Sequence, residues 1–184
     1  MSENFFKSNL NTNSEDFEQI YSIPFNTTIY TKLRAFQFKI NHNILYTNEK
    51  LHKVKLSDSP LCTFCNTETE TLEHLLVDCD KVVSIWRDII ENLLQPFGVT
   101  NLTKSEIILG CITLAQQNSI INHIILEAKY YIYVRKLEKC IPLYNRFKNR
   151  LRITENIEKQ IAIKAKKVQK HTHKWHHISN YLLN

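Results

Sequence analysis

From Ile29 the apolar residues recur as Ile29, Leu33, Phe36, Ile40 and Ile44, the three-and-four spacing of one hydrophobic stripe on a helix. Lys32 and Lys39 fall on other faces. A shorter helix is predicted over Asn48 to Val54, before Asp58-Ser59-Pro60 forces an extended turn. The helical period returns in Val82, Trp86, Ile89, Ile90 and Leu93, and Gln95-Pro96 with Gly98 marks its end. A fourth helix is predicted from Ser105 to Leu114 and a long fifth from Ser119 to Lys139. The fifth has Ile121, Ile124, Ile125, Ala128 and Ile132 inside, and Arg135, Lys136 and Lys139 at the end where cations favour the helix dipole. Pro142 ends it.

Beyond Pro142, Tyr144, Phe147 and Leu151 alternate with Arg146, Lys148, Arg150 and Arg152, and a last helix is predicted from Thr154 to Leu182. In it Lys159, Lys166, Lys170 and Lys174 share one stripe, and Ile157, Ile161, Ala165 and Val168 another. One face can then dock while the other meets a polyanion. No segment shows the period of two that a half-buried strand requires. The architecture predicted is all-α, a helical bundle with an embedded small metal module and a long basic C-terminal helix. Its parts are a polar lead-in over 1–20, helices with the module at 60–81 over 21–100, and a helical region with a basic C-terminal arm over 101–184.

Composition sharpens this picture. The 184 residues are 43% hydrophobic, enough for a core, but hold only 2 Gly and 4 Pro, too little turn punctuation for a many-stranded sheet or a phosphate-cradling loop. The net charge of +6 is unevenly placed: residues 129–175 carry 14 basic and 3 acidic residues, or +11, and the remainder is −5. That asymmetry fits a folded unit with an arm for a polyanion, or a solvated helical face. The apolar run Ile107 to Ala115 is far short of the ~20 residues that cross a bilayer. The N-terminus is polar and acidic, unlike a secretory signal. Five cysteines without an export signal point to reduced thiols and metal binding, in the nucleus or cytoplasm.

Three of those cysteines and one histidine form the pattern C-x2-C-x8-H-x4-C through Cys62, Cys65, His74 and Cys79. Two thiolates two residues apart can grip one ion from a tight turn, and a short helix over Glu70 to Val77 would bring His74 from its body and Cys79 from its exit. Three sulfurs and one imidazole make a closed tetrahedral Zn2+ site, which leaves no position for a reacting water and is therefore structural. A redox C-x-x-C would sit at a strand-to-helix junction, which this helical chain lacks. Cys111, in an apolar run, reads as a core thiol. His173 and His177, with His171 and His176 around Trp175, have no thiolate or carboxylate neighbour to complete a second site. Tyr130, Tyr131 and Tyr133 could stack bases but, at helical spacing, read first as core.

The segment LCTFCNTETETLEHLLVDCDKVVSIW, residues 61–86, resembles the CCHC zinc-binding region C-terminal to the reverse transcriptase domain of non-LTR, LINE-type retrotransposons. Residues 23–53, IPFNTTIYTKLRAFQFKINHNILYTNEKLHK, resemble the same region, and residues 121–136 do so less specifically. The resemblance implies Zn2+ on Cys62, Cys65, His74 and Cys79, with Trp86 packing the following helix onto the module. The polymerase and endonuclease that precede this region in the family are not in the sequence, and the only adjacent acidic residues are Glu15-Asp16 in the lead-in, so the carboxylate cluster of two-metal phosphoryl transfer is missing. A fragment, a decayed remnant and a host protein built from one would all read this way.

The expectation is therefore a non-catalytic module that binds RNA or DNA through Arg146, Lys148, Arg150, Arg152, Lys159, Lys166, Lys170 and Lys174, with a polymerase-bearing chain as a further partner and no membrane. The alternative is a zinc-stabilised module whose apolar helices dock on a partner protein.

Overall fold

The computed structural model describes residues 16–112 and 119–183. Its helices are α1 (Asp16–Thr27), α2 (Thr31–Asn41), α3 (Asn48–Lys53), α4 (Asp80–Ile89), α5 (Lys104–Leu109), α6 (Ser119–Leu137), α7 (Tyr144–Lys164) and α8 (Val168–Leu183). A π-turn over His74–Asp78 leads into α4, a second over Ile90–Leu94 continues it, and a 3-10 turn over Gln95–Phe97 closes it at the left-handed Gly98. No strand occurs among the described residues; Leu61 and Thr69 form a single isolated bridge. The all-α expectation holds.

The centre of the molecule is α6. Every residue from Ile120 to Ile132 is buried, so this helix is enclosed on all sides rather than along one stripe, with Asn122, His123, Glu127 and Lys129 among the buried residues. Around it lie α1, α2, α5, α7 and the first π-turn. On α2, Leu33, Phe36 and Ile40 face inward as expected. Ile29 and Ile44, assigned to the same stripe, lie outside the helix and are exposed. Val82, Trp86, Ile89 and Leu93 are buried in one row, as their period predicted. The tyrosines of α6 pack in the core: Tyr130 meets Phe36 edge-on at 5.2 Å, and the Tyr131 hydroxyl donates to Leu143 O at 3.1 Å.

Three differences from the sequence reading concern elements. Residues from Asp16, placed in the lead-in, form α1, which continues through Pro24; residues 1–15 lie outside the described part. The fourth helix stops at Leu109, before Gly110 at φ 100°, and the stretch predicted to reach Leu114 runs into residues outside the described part. The last helix is not continuous. It begins at Tyr144, breaks at Ala165–Lys167 and returns as α8, giving an antiparallel helical hairpin.

The break is a Schellman cap without glycine. Lys166 takes φ 56°, its N–H reaches Ile163 O, and the Lys167 N–H reaches Ala162 O. Asn43, Lys55 and Lys139 end α2, α3 and α6 in the same way.

Fourteen polar or charged residues are buried among those described, and Lys129 shows how such a group is accommodated. Lys129, on α6, is 1% exposed and faces no carboxylate; its Nζ donates to Gln37 Oε1 at 2.6 Å and Ile108 O at 2.7 Å, joining α2 and α5 to α6. Burial lowers its pKa to about 7. The folded state therefore releases this proton near pH 7, whereas the unfolded chain keeps it to about pH 10.4. Between those values the unfolded state binds more protons, so this group's contribution to stability rises with pH and is lost as pH falls through 7. Urea unfolding from pH 7 to 10 should show wild-type protein gaining stability relative to Lys129→Met, by at most about 1.4 kcal/mol per pH unit. Parallel curves for the two proteins would refute this.

Candidate metal centre

The first two ligands sit on a tight turn built by the backbone. The Cys62 N–H donates to Glu68 O at 2.8 Å, and the Asn66 N–H donates back to Cys62 O at 2.9 Å with Asn66 in the left-handed region at φ 57°. The turn presents Cys62 and Cys65 to one side, and the Phe64 N–H points at Cys62 Sγ, 3.4 Å away.

The other two ligands come from the π-turn, and their spacing requires it. In a regular α-helix, residues five apart point about 140° away from one another around the axis. Here the Cys79 N–H closes on His74 O at 3.0 Å, an i to i+5 bond that widens the turn and brings both side chains to one face. The sequence reading placed a short helix here with His74 in its body and Cys79 at its exit; the π-turn is the form that helix takes.

The four ligand atoms all lie within 4.8 Å of one another. Cys62 Sγ and Cys79 Sγ are 3.8 Å apart, and Cys65 Sγ is 3.4 Å from His74 Nε2. A tetrahedron with metal–sulfur bonds of about 2.3 Å and a metal–nitrogen bond of about 2.0 Å has S–S edges near ~3.8 Å and S–N edges near ~3.5 Å. The donor set and its dimensions fit one tetrahedral ion.

Burial raises the Cys62 and Cys79 thiols above their usual range, and for Cys79 the other two sulfurs add to it. For Cys65 desolvation also acts upward, but hydrogen bonds from the Thr67 side chain, the Glu68 and Thr67 backbone and His74 outweigh it and bring the thiol down to about 6. A bound cation would deprotonate all three, so metal binding releases protons. The remaining His74 nitrogen, Nδ1, is buried without a hydrogen bond, and Glu68 Oε2 lies 3.3 Å from it. A carboxylate behind the second ring nitrogen is the usual way a ligating histidine is held in the correct tautomer.

The residue that positions the module was not visible in its spacing. Glu70 is completely buried. Its Oε2 accepts from the Thr63 N–H and Oγ1, both at 2.8 Å, while its Oε1 accepts from the Asn48 N–H at 2.8 Å and faces Lys136 Nζ at 3.0 Å. Those four partners use the four lone-pair directions of one carboxylate. They tie the cysteine turn to α3 and to α6. The Trp86 Nε1–H donates to Leu76 O at 2.7 Å, so α4 packs on the π-turn in the role expected for Trp86.

Among the described residues the histidines of α8 do not gather into a metal-ligand group. His171 lies beside Glu155, and His177 packs edge-on against Phe97. Cys111 is a buried core thiol, as expected, and Cys140 is exposed.

The eight cations assigned to nucleic acid fall into two groups. Arg146, Arg152, Lys159, Lys166 and Lys170 are exposed, and Lys148 is half-buried. Arg150 is paired with Glu127 at 3.0 Å. Lys174 leaves the predicted stripe altogether: its Nζ donates to Glu158 Oε2 at 2.9 Å and to Thr27 O at 3.2 Å, while Trp175 Nε1–H donates to the same carboxylate at 2.8 Å. A row of lysines read from a helical wheel assumed one helix, and the break at Lys166 changes the phase.

Two substitutions separate the ligands from their support. Cys65→Ser should lose the metal, measured by elemental analysis, while most helical circular dichroism remains. Lys136→Met keeps all four ligands but leaves the Glu70 carboxylate buried and uncompensated, so it should cost about 3–5 kcal/mol in chemical denaturation. A loss below about 1 kcal/mol would show that the ion pair does not hold the module.

Residues 2–86 match a family model described as zinc-binding in reverse transcriptase. No curated protein and no solved structure matches the chain. The matched span contains all four ligands and Trp86, and α6, α7 and α8 lie beyond it. Over residues 2–86, therefore, this protein resembles the zinc-binding region of reverse transcriptases, with the metal cluster that the resemblance implied.

Proposed function

We propose that this chain is a non-catalytic module that binds RNA or DNA, with Zn2+ on Cys62, Cys65, His74 and Cys79 as a rigid clip and the α7–α8 hairpin as the contacting arm. Zinc is the ion of choice because three thiolates and one imidazole at tetrahedral spacing suit it, and the closed ligand set gives it a structural role. In proteins of the resembled family such a region would hold template RNA or target DNA near a polymerase, so a polymerase-bearing chain is the natural partner and the nucleus or cytoplasm the compartment.

The observation that carries the reading is the charge of the hairpin tip. Lys159, Lys164, Lys166, Lys167 and Lys170 are all exposed around the turn, and no acidic residue follows Glu158 in the sequence. Glu155 and Glu158 are turned toward His171 and Lys174 and do not offset the tip. Unopposed lysines on a projecting turn attract phosphates without reading bases, and each lysine–phosphate pair releases condensed counterions.

Replacing Lys159, Lys166, Lys167 and Lys170 with Gln should weaken binding to many sequences alike. It should also flatten the plot of log affinity against log salt by roughly 0.7–0.9 for each phosphate no longer neutralised. Gel shifts of single-stranded RNA and duplex DNA at several salt concentrations measure both. An unchanged slope with intact helicity would remove the tip from the binding surface.

A further inference from the structure

The second stripe of α7 does not dock within this protein. Ile153, Ile157 and Ile161 are 57%, 45% and 42% exposed, although Ile157 and Ile161 were expected on a docking face. The helix turns Phe147, Leu151, Thr154, Glu158 and Ala162 inward instead. Three isoleucines one turn apart are left on the surface, in line.

Two hollows follow that line and share Ile153 and Ile157. One, of about 510 Å3, lies between α7 and the start of α2, with Tyr30 and Leu33 as its far wall; the other, of about 330 Å3, is a shallow, open strip lined by α7 alone that runs past Ile161 to Lys164. From Arg146 to Lys164 this face of α7, walled by α2 over its first part, spans about 27 Å at 1.5 Å per helical residue. Its rim is positive. Lys32 and Arg146 stand at one end and Lys164 at the other, all exposed and in no ion pair among the described residues. The one carboxylate in the lining, Glu127, is consumed by Arg150 and Thr154.

We propose that this groove receives an amphipathic helix with acidic flanks from a partner protein. Aliphatic ridges spaced by one turn are what a second helix packs its own ridges between. Stacked bases need an open aromatic face, and the Tyr130 ring already has Lys32 at 5.4 Å and Arg150 at 5.0 Å. Apolar side chains of the partner would fill the hollows around Ile153 and Ile157, and its glutamates or aspartates would meet Lys32, Arg146 and Lys164. This surface shares only Lys164 with the hairpin tip, a lysine left intact by the four tip substitutions, and the proposal does not rest on nucleic-acid binding.

The test uses the full chain and two fluorescein-labelled 18-residue helical peptides that share a leucine stripe. One carries Glu on both flanks, the other Lys. Fluorescence anisotropy should show the Glu peptide bound at least ten times more tightly than the Lys peptide. Ile157→Asp should weaken the Glu peptide at least tenfold, Ile157→Leu should preserve it, and the four tip substitutions should leave it unchanged. Helicity and metal content, measured on Ile157→Asp, guard against unfolding. Absence of binding by the Glu peptide, equal binding of both peptides, or indifference to Ile157→Asp would overturn the proposal. So would loss of oligonucleotide binding in Ile157→Asp, or loss of a dimer in sedimentation, since each would assign the groove a different occupant.

Discussion

One buried ion pair sets the frame for everything else. Glu70 and Lys136 meet at 3.0 Å with 0% and 5% of their side chains exposed, and neither charge could remain there without the other. The pair is tolerated because Glu70 has a donor in every lone-pair direction and Lys136 has a further acceptor in Tyr46 O at 3.0 Å. A metal module of some twenty residues has little core of its own. Through this pair, its cysteine turn is fixed to the helix around which the rest of the protein packs.

That helix works as a polar hub inside an apolar shell. Along α6, Asn122 exchanges two hydrogen bonds with the Cys111 backbone at 2.8 and 2.9 Å, Glu127 takes Arg150 and Thr154 of α7, Lys129 reaches α2 and α5, and Lys136 reaches the module. Each side chain goes to a different neighbour. Apolar contact alone would let these helices slide or rotate, whereas an unsatisfied buried charge or amide carries a large penalty for any other arrangement. The same logic fixes the Gly110 turn, where an added Cβ would lie 3.0 Å from Asn122 Oδ1 and from Ile23 Cδ1.

The clustering of Cys62, Cys65, His74 and Cys79, the all-α class, the inward residues of α2 and α4 and the span of α6 were legible in the sequence, because spacing and period report local geometry directly. What was not legible has two physical sources. One helix end went unseen: Lys166 occupies the left-handed position that glycine usually announces, so the α7–α8 break had no signature. Facing was misread where charge lies inward. On α7, Thr154 and Glu158 sit on the buried side because Glu127, Lys174 and Trp175 meet them there, and a pattern reading sends such residues outward and the isoleucines in. Lys129 and Lys174, counted in the basic arm, are internal for the same reason. Glu70 lay in the run Thr67-Glu68-Thr69-Glu70, where nothing distinguishes the buried carboxylate from the exposed Glu68.

The π-turn makes the interval between the last two ligands a matter of phase as well as length. Removing one residue between His74 and Cys79 would let the segment relax to an ordinary α-helical turn, with the two side chains four apart and again on one face. Adding one would swing the sulfur round by about 100° and out of reach. The chain can therefore tolerate shortening here and cannot tolerate lengthening, an asymmetry that the identity of the four ligands does not reveal.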